Sequence, residues 1–322
     1  MAQKKKPAVS VVMPVYNSER YIGESIDSIL NQTYDDFEFI IIDDSSTDST
    51  KNIVEEYMSR DDRIKLINLE NKGLVASLNE GVKHAKGEFI ARMDSDDISF
   101  PNRLERQISY LQNNQDIVAL GVWTLVIDED GRPIQRWKLN KSHNEIVSRL
   151  LSGKGGQLIH PSIMLRRKAL VKVGGYDERY KVSEDFDLYV RLSEIGILEN
   201  LPEVLFCWRR HSTSLCSTVS DLWLEQHRKI ITEAINRRGP DNYVAALIHN
   251  IGNSTDTKLI DVAKSSLKDG YYRTSLYYTW KFFKGGGNQI DGIRIIITML
   301  KMSLRQLIRS IIFWRKSRKV AP

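Results

Sequence analysis

Three carboxylates crowd into one short stretch, Arg92-Met93-Asp94-Ser95-Asp96-Asp97. It follows Gly87-Glu88-Phe89-Ile90-Ala91, which reads as a buried strand, and precedes Phe100-Pro101-Asn102-Arg103, which reads as the start of a helix. Like charges at the carboxyl end of a strand repel one another, so an apolar core alone would not keep them there. If strand geometry continues past Arg92, Asp94 and Asp96 point the same way, because side chains alternate with period two. Two oxygens converging on one face suit a hard divalent cation, Mg2+ or Mn2+, shared with phosphate. A solvated loop that caps the next helix is the competing reading of any lone D-x-D. Further candidates for chemistry are Asp43-Asp44-Ser45-Ser46-Thr47-Asp48, Ser183-Glu184-Asp185-Phe186-Asp187 and Arg209-Arg210-His211.

Several other chemistries lack their motifs. The glycine fingerprint of dinucleotide sites and the Walker-type phosphate loop are both absent; Gly153-Lys154-Gly155-Gly156 and Gly285-Gly286-Gly287 have neither spacing. Phosphate must therefore be met by metal and basic side chains. No G-x-S-x-G nucleophile elbow occurs. The histidines lack H-E-x-x-H spacing; His160, ahead of a proline, reads as either a catalytic or a satisfied structural histidine. Cys207 and Cys216 are the two cysteines and are too far apart for a C-x-x-C pair, which fits a reducing compartment.

The elements that must carry these clusters alternate. Ala8 to Met13 reads as a first buried strand, broken by Pro14-Val15-Tyr16-Asn17. Ser18 can cap a helix from Glu19 to about Leu30. Phe37 to Ile42 is a second strand, followed by a helix to about Met58. Arg63 to Leu69 is a third, and Asn71-Lys72-Gly73-Leu74 turns into a helix to about Ala85. With the strand before Asp94 the order is βαβαβαβ, which predicts a parallel, doubly wound sheet with ligands at the carboxyl ends of its strands. Asp44 and Asp94 then face one crevice. Beyond Ile117 the spacing predicts a strand from Val118 to Ile127, a hairpin turn at Asp130-Gly131, and a helix from Asn144 to Leu151. A strand follows over Gln157 to Leu165, then a short helix from Arg166 to Val173. Ser183 can cap a helix from Asp185 to Ile195, and Ile197 to Trp208 is a last strand.

In this order and spacing the pieces resemble the family-2 glycosyltransferases, over about residues 8 to 216. The resemblance rests on Met13-Pro14-Val15-Tyr16-Asn17, on Asp43 to Asp48, and on Asn71-Lys72-Gly73-Leu74 with Ser77-Leu78-Asn79. It rests further on Asp94-Ser95-Asp96-Asp97, His160-Pro161-Ser162, Gly174-Gly175-Tyr176-Asp177 and Glu184-Asp185. It implies a GT-A fold, a Rossmann-like and mostly parallel central sheet flanked by helices. It also implies an inverting enzyme that moves sugar from a nucleotide diphosphate, UDP being the expected nucleotide. The best-matched relatives build bacterial capsule, exopolysaccharide or O-antigen.

The same resemblance assigns roles. Pro14, Tyr16, Asn17, Asp44, Lys72, Arg92, Asp94, Ser95 and Arg210 would bind the nucleotide sugar. Asp44 would accept from the base, and Asp94 would lie by the ribose and metal. Asp96 and His211 would hold Mn2+ or Mg2+. Arg209, Arg210 and His211 are placed to close over the diphosphate, or are solvated charge at a strand end. Asp185 would be the general base and Glu184 would hold acceptor or base. Trp208-Arg209-Arg210 departs from the Q-x-x-R-W motif of processive members, so one sugar per encounter is expected. A nucleotidyltransferase on a similar sheet is the alternative enzyme; it wants a glycine-rich basic loop where Pro14 to Ser18 stands.

The 322 residues, 41% hydrophobic and 27% charged, suffice for a large domain and a smaller one. We expect a basic tail over 1–7, a catalytic domain over 8–218 and a helical region over 219–322. The formal net charge of +6 gathers in Lys4-Lys5-Lys6 and the last stretch of the chain. Asp221 to about Arg237, Tyr243 to Ile251, Thr257 to Leu267 and Thr274 to Phe283 read as helices. Residues 290–316 form one strong helical pattern. At 100° per residue, Arg294, Lys301, Arg305 and Arg309 fall within an arc of about 80°, and apolar residues fill most of the rest. Such a helix suits an anionic membrane surface, or packs on a core with its basic stripe in water. The start lacks a signal-peptide pattern, and no apolar run reaches the roughly 18 residues of a membrane span. The expectation is a cytoplasmic protein, peripheral on the inner face of the membrane, acting on a glycan or lipid-linked saccharide. Nucleic acid is not an expected partner, because the acidic clusters repel phosphate unless a metal intervenes.

Overall fold

The structure, a computed structural model, describes residues 6–151, 154–212 and 221–238. Its first half is the expected alternation. β1 (Val9–Val15), β2 (Phe37–Asp43), β3 (Ile64–Asn68) and β4 (Phe89–Arg92) alternate with α1 (Ile22–Leu30), α2 (Thr50–Met58) and α3 (Leu74–His84). β1 and β2 are buried along their whole length, as strands covered on both faces must be. Period two divides them. Val9, Val11, Met13, Phe37, Phe39 and Ile41 pack on one side with α1, α2 and α4 (Arg103–Asn113). Val12, Ile40 and Ile42 pack on the other with α3 and the later helices.

Pro14 does not end β1. β4 pairs with β1 only as far as Val12, so the nitrogen of Pro14 faces a side that β4 has already left. Helix α1 starts at Ile22 rather than Glu19, and Ser18 gives it no side-chain cap. Instead the Ser18 carbonyl accepts the N–H groups of Tyr21 and Ile22.

The sheet turns antiparallel after β4. Its order is β3-β2-β1-β4-β8-β6-β9-β5, where β5 is Ile98–Ser99, β6 Ile117–Ile127, β8 Met164–Arg166 and β9 Ile197–Arg209. β1, β2, β3 and β4 pair in parallel. β8 runs antiparallel to both β4 and β6, and β5 runs antiparallel to β9. The expected parallel sheet therefore describes the first half only. The expected strand over Gln157 to Leu165 shrinks to β8, because Pro161 has no N–H for a ladder. His160–Ser162 form a 3-10 turn instead. α5 (His143–Leu151), α6 (Arg167–Lys172), α7 (Glu184–Leu192) and α8 (Asp221–Arg238) complete the described helices. Ile230, Ile231 and Ala234 of α8 join the core beneath α7.

The chain divides into two compact units, residues 1–125 with 137–254 and residues 126–136 with 255–322. Of the second, the described part is the end of the hairpin between β6 and β7 (Pro133–Trp137). There Asp128 accepts the N–H groups of Asp130 and Arg132 around the left-handed Gly131. The helices expected over 243–251, 257–267, 274–283 and 290–316 lie outside the described residues. Among the described residues no helix is long and apolar enough to cross a membrane.

Helix α3 meets the sheet closely at Gly81. A Cβ there would come within 2.4 Å of Val12 Cγ1 and 2.9 Å of Ile42 Cδ1, so α3 lies against the sheet with no room for a side chain. Gly81→Val is expected to destabilise the protein by about 1–3 kcal/mol through overpacking. A lower urea midpoint with an unchanged slope would show it.

Candidate active site

β4 stops at Arg92, and residues 93–97 leave the strand in a turn. Strand alternation therefore does not align Asp94 with Asp96; the turn does, and it adds Asp97. One carboxylate oxygen of each residue lies within 4.8 Å of the others, the one such acidic group of three among the described residues. Asp97 is fully buried. Its Oδ1 accepts the Arg209 N–H at 2.7 Å, whereas Oδ2 has no hydrogen-bond partner. Burial, with the charges of Asp96 and Asp94, holds its pKa well above the usual carboxylate range. A buried oxygen without a partner is uncommon in a folded protein. A divalent cation would satisfy it and offset the crowding of like charge. His211 Nε2, 2.8 Å from Asp96 Oδ2, adds a nitrogen at the rim. Oxygen-rich donors with one imidazole fit Mg2+ or Mn2+.

Two elements far apart in sequence hold the turn. From β9, Arg209 donates its N–H to Asp97, its Nε to the Asp96 carbonyl at 2.7 Å and its guanidinium to Glu24 at 2.5 Å. The same guanidinium lies 4.6 Å above the Tyr21 ring. From α1, Ser25 donates to the Asp97 carbonyl, while Ser18 and Ser95 share a hydroxyl hydrogen bond, both at 2.7 Å. The Tyr21 ring also lies 5.3 Å from that of His211. The Arg210 guanidinium lies 5.7 Å above the Trp208 ring.

Beneath the turn sits Arg92, 2% exposed and ion-paired with Asp94. Burial alone would weaken its charge, but Asp94 and neighbouring acidic groups more than compensate, and its pKa rises. Its charge also draws down the carboxyl groups of Glu184 and Asp185, against the burial that raises them. One guanidinium thus lies within electrostatic reach of both acidic groups. Arg103 of α4, fully buried, donates Nη1 to the carbonyls of Arg92 and Pro161, each at 3.1 Å. Gln107, one turn on, donates to the carbonyls of Leu120 and Ser162. These two polar side chains lock β4, β6 and the His160 turn together. Nothing in the sequence marks them, because they read as an ordinary start of a surface helix.

Glu184 and Asp185 open α7, where the helix dipole favours acidic groups. Ser183 occupies the N-cap position, yet its hydroxyl makes no cap bond and is buried without a partner. Asp185 Oδ1 accepts the N–H of Phe186 at 2.6 Å. Burial, reinforced by Asp185, raises Glu184 to about 8. Burial also raises Asp185. The charges of Glu184, Asp185 and Asp94 all act on the buried Tyr176 phenol.

At the far side of the same sheet edge, the chain is left-handed after each of the first three strands, at Asn17 (φ +48), Ser45 (φ +63) and Asn71 (φ +47). Asparagine tolerates this conformation well; Ser45 carries more strain. Asn17 accepts the Thr47 N–H at 2.8 Å and so ties the first loop to the second. Asp44 is buried, and its two oxygens accept the N–H groups of Lys72 and Gly73, each at 2.7 Å. It organises the third loop, and each oxygen keeps a second lone pair. The Lys72 side chain is exposed, Pro14 is buried within β1, and Tyr16 is 51% exposed beside the loops. β1 separates the Asp44 strand from the Asp94 strand, which sets the two groups about 10 Å apart across the sheet.

Residues 10–174 match the model of Glycosyl transferase family 2. An uncharacterized glycosyltransferase of Haemophilus influenzae is 35% identical over 291 residues, spanning 84% of this chain and 88% of its own length. The O-antigen biosynthesis glycosyltransferase WbnJ of Escherichia coli is 36% identical over 247 residues, 75% of this chain and 94% of its own. Two solved structures share the fold. Residues 1–349 of S. aureus TarS, in complex with UDP-GlcNAc, superpose with a TM-score of 0.57 at 20% identity, covering 87% of this chain and 93% of that one. The mannosyltransferase PcManGT from Pyrobaculum calidifontis, with GDP-Man and Mn2+, gives 0.52 at 16% identity, covering 95% and 83%.

Burial of Glu184 has a consequence for stability. A carboxyl raised from 4.5 to about 8 binds its proton more tightly in the folded state, so stability falls as pH rises between those values. Glu184→Gln removes the ionisation. It is expected to raise the melting temperature relative to wild type more at pH 8.5 than at pH 5, read by calorimetry. An equal difference at both pH values would mean that the buried charge is not the cause.

Proposed function

The chain belongs to glycosyltransferase family 2, and we propose that it moves a single sugar from a nucleotide diphosphate, with inversion, to a hydroxyl of a glycan or lipid-linked saccharide. The observation that carries this reading is the pairing of two acidic groups about one buried guanidinium. The Asp94, Asp96 and Asp97 turn is built to meet a cation, and Glu184 with Asp185 is built to meet a hydroxyl. Asp96, Asp97 and His211 would hold Mn2+ or Mg2+. When bound, the metal neutralises charge that develops on the leaving diphosphate.

The chain's own residues do the rest. Asp185, in its carboxylate form, accepts the proton of the acceptor hydroxyl as its oxygen attacks the anomeric carbon. The bond from that carbon to the diphosphate oxygen breaks on the opposite face, so configuration inverts and nucleoside diphosphate leaves. A carboxylate is a weak base for a free alcohol, but the hydroxyl acidifies as the C–O bond forms. Glu184 holds the acceptor. Asp94, fixed by Arg92, lies on the donor side with Ser95, and Asp44 and Asn17 order the loops that meet the nucleotide. Tyr16 supplies an exposed ring beside them, and Lys72 and Arg210 supply flanking charge. WbnJ is named for O-antigen biosynthesis and its similarity spans most of this chain, which supports a surface polysaccharide as the product. UDP is the expected nucleotide, as in the TarS complex, although PcManGT carries GDP-Man on the same fold. The basic, apolar pattern of residues 290–316 would hold the enzyme at an anionic membrane, next to a lipid-linked acceptor.

A panel of nucleotide sugars with Mn2+ or Mg2+ tests the reading by release of nucleoside diphosphate. One donor is expected to turn over. Asp185→Asn is expected to lower transfer by about 10²–10⁴-fold while leaving the donor dissociation constant within a factor of three. Turnover unchanged in Asp185→Asn would remove the base assignment. The metal assignment has its own readout: saturating Mn2+ is expected to raise the melting temperature of wild type and not of Asp96→Asn. An equal rise in both would move the metal elsewhere.

A further inference from the structure

Glu184 is the more deeply buried member of the acceptor pair, and three side chains behind it form an ordered line. Glu184 Oε1 lies 3.8 Å from His160 Nδ1. The other ring nitrogen, Nε2, lies 2.9 Å from the Tyr176 hydroxyl. Tyr176 is clamped through its backbone: its N–H donates to Asn79 Oδ1 and its carbonyl accepts from Asn79 Nδ2, both at 2.9 Å. The clamp needs glycine at the preceding residue. Gly175 is left-handed (φ +74), and a Cβ there would sit 2.8 Å from Asn79 Oδ1. The Tyr189 ring stands edge-on to the imidazole with centroids 6.4 Å apart, which fixes the ring plane. Four segments thus contribute to one line: α3, the His160 turn, the loop before α7, and α7 itself.

Chemistry orders the protons along it. His160 is buried, and Arg92 is near, so the imidazole is held neutral. A neutral imidazole has one donor nitrogen and one acceptor. The Tyr176 hydroxyl and Nε2 share one hydrogen bond, and the phenol is its donor when Nε2 is the unprotonated nitrogen. The imidazole proton then sits on Nδ1, the nitrogen that faces Glu184. At 3.8 Å the contact is electrostatic rather than a hydrogen bond, and in this tautomer it turns the positive edge of the imidazole toward one carboxyl oxygen of Glu184.

We propose that Asn79, Tyr176 and His160 are positioning residues for the transfer: they fix the carboxyl group of Glu184, and through it the acceptor sugar, without touching either substrate. The acceptor clause rests on the transferase reading above; the tautomer and its coupling to Glu184 do not.

The first test therefore needs no substrate. Nitrogen-15 labelling of histidine in the full chain reports the tautomer of each ring by NMR. The expected result is Nδ1–H for His160, with its ring signals displaced both by Tyr176→Phe and by Glu184→Gln. An Nε2–H tautomer, or signals indifferent to either substitution, would overturn the proposal. The second test is kinetic, with octyl glycosides of glucose, galactose and the two N-acetylhexosamines as acceptors. His160→Gln and Tyr176→Phe are expected to raise the acceptor KM about tenfold, with donor KM and kcat within a factor of three. In a Glu184→Gln background the same substitutions should change the acceptor KM by less than twofold, because they act through Glu184. Additive losses, or a change in donor KM, would overturn it. Absence of turnover by wild type on every donor and acceptor would count against the transferase reading, and the NMR result would still decide the tautomer.

Discussion

A single guanidinium, buried under the sheet edge, makes the rest of this site physically possible. Arg92 is almost wholly enclosed and pairs with Asp94. Taking a charge out of water is costly, and a buried ion pair is seldom a net gain in stability over apolar packing. The gain lies elsewhere. Four carboxylates, Asp94, Asp97, Glu184 and Asp185, sit in buried surroundings that favour their protonated forms. With Arg92 in place, its field lowers the cost of ionising Asp94, Glu184 and Asp185. A fixed charge in a low-dielectric site is also already oriented when charge develops, which is the setting in which electrostatic effects on a reaction are largest.

The topology explains how one cation reaches both acidic groups. The sheet is parallel from β3 to β4, and β8 runs antiparallel to both β4 and β6. β4 therefore lies at the junction of two differently built halves. Its neighbour β1 brings the loops of the first half, and its other neighbour β8 brings the His160 turn and, through the following chain, α7. Residues that leave the end of β4 enter the seam between the halves, the kind of place where open α/β sheets bind ligands. α4 secures that seam from below with Arg103 and Gln107, whose side chains donate to backbone carbonyls of β4, β6 and the His160 turn. β9 secures it from the side through Arg209.

Much of this was legible in the chain. Continuous apolar runs, bounded by Asp, Asn and Gly, marked the first four strands because strands covered on both faces carry no polar alternation. The acidic stretches after the second and fourth strands stood out because like charges at a strand end have no reason to persist in a bare core. Boundaries failed where the backbone had a local alternative. Pro14 stays in β1 because its neighbour strand ends first, and His160-Pro161 curls into a turn because proline cannot extend a ladder. Ser18 and Ser183 have the right type for caps, yet neither side chain caps its helix.

What the sequence determined by itself, then, is the parallel first half of the fold and the chemical character of its carboxyl edge, because both arise from patterns between near neighbours. Tertiary structure decided which of the polar residues act together. Asp97 joins Asp94 and Asp96 through a turn that strand alternation does not foresee. Arg209 and His211 reach the same turn from more than a hundred residues away. Tyr176, His160 and Glu184 align only once Asn79 has fixed the backbone between them. Such contacts depend on the packing of whole elements, and a side chain's partners across a sheet or between helices leave no periodic trace in its own segment.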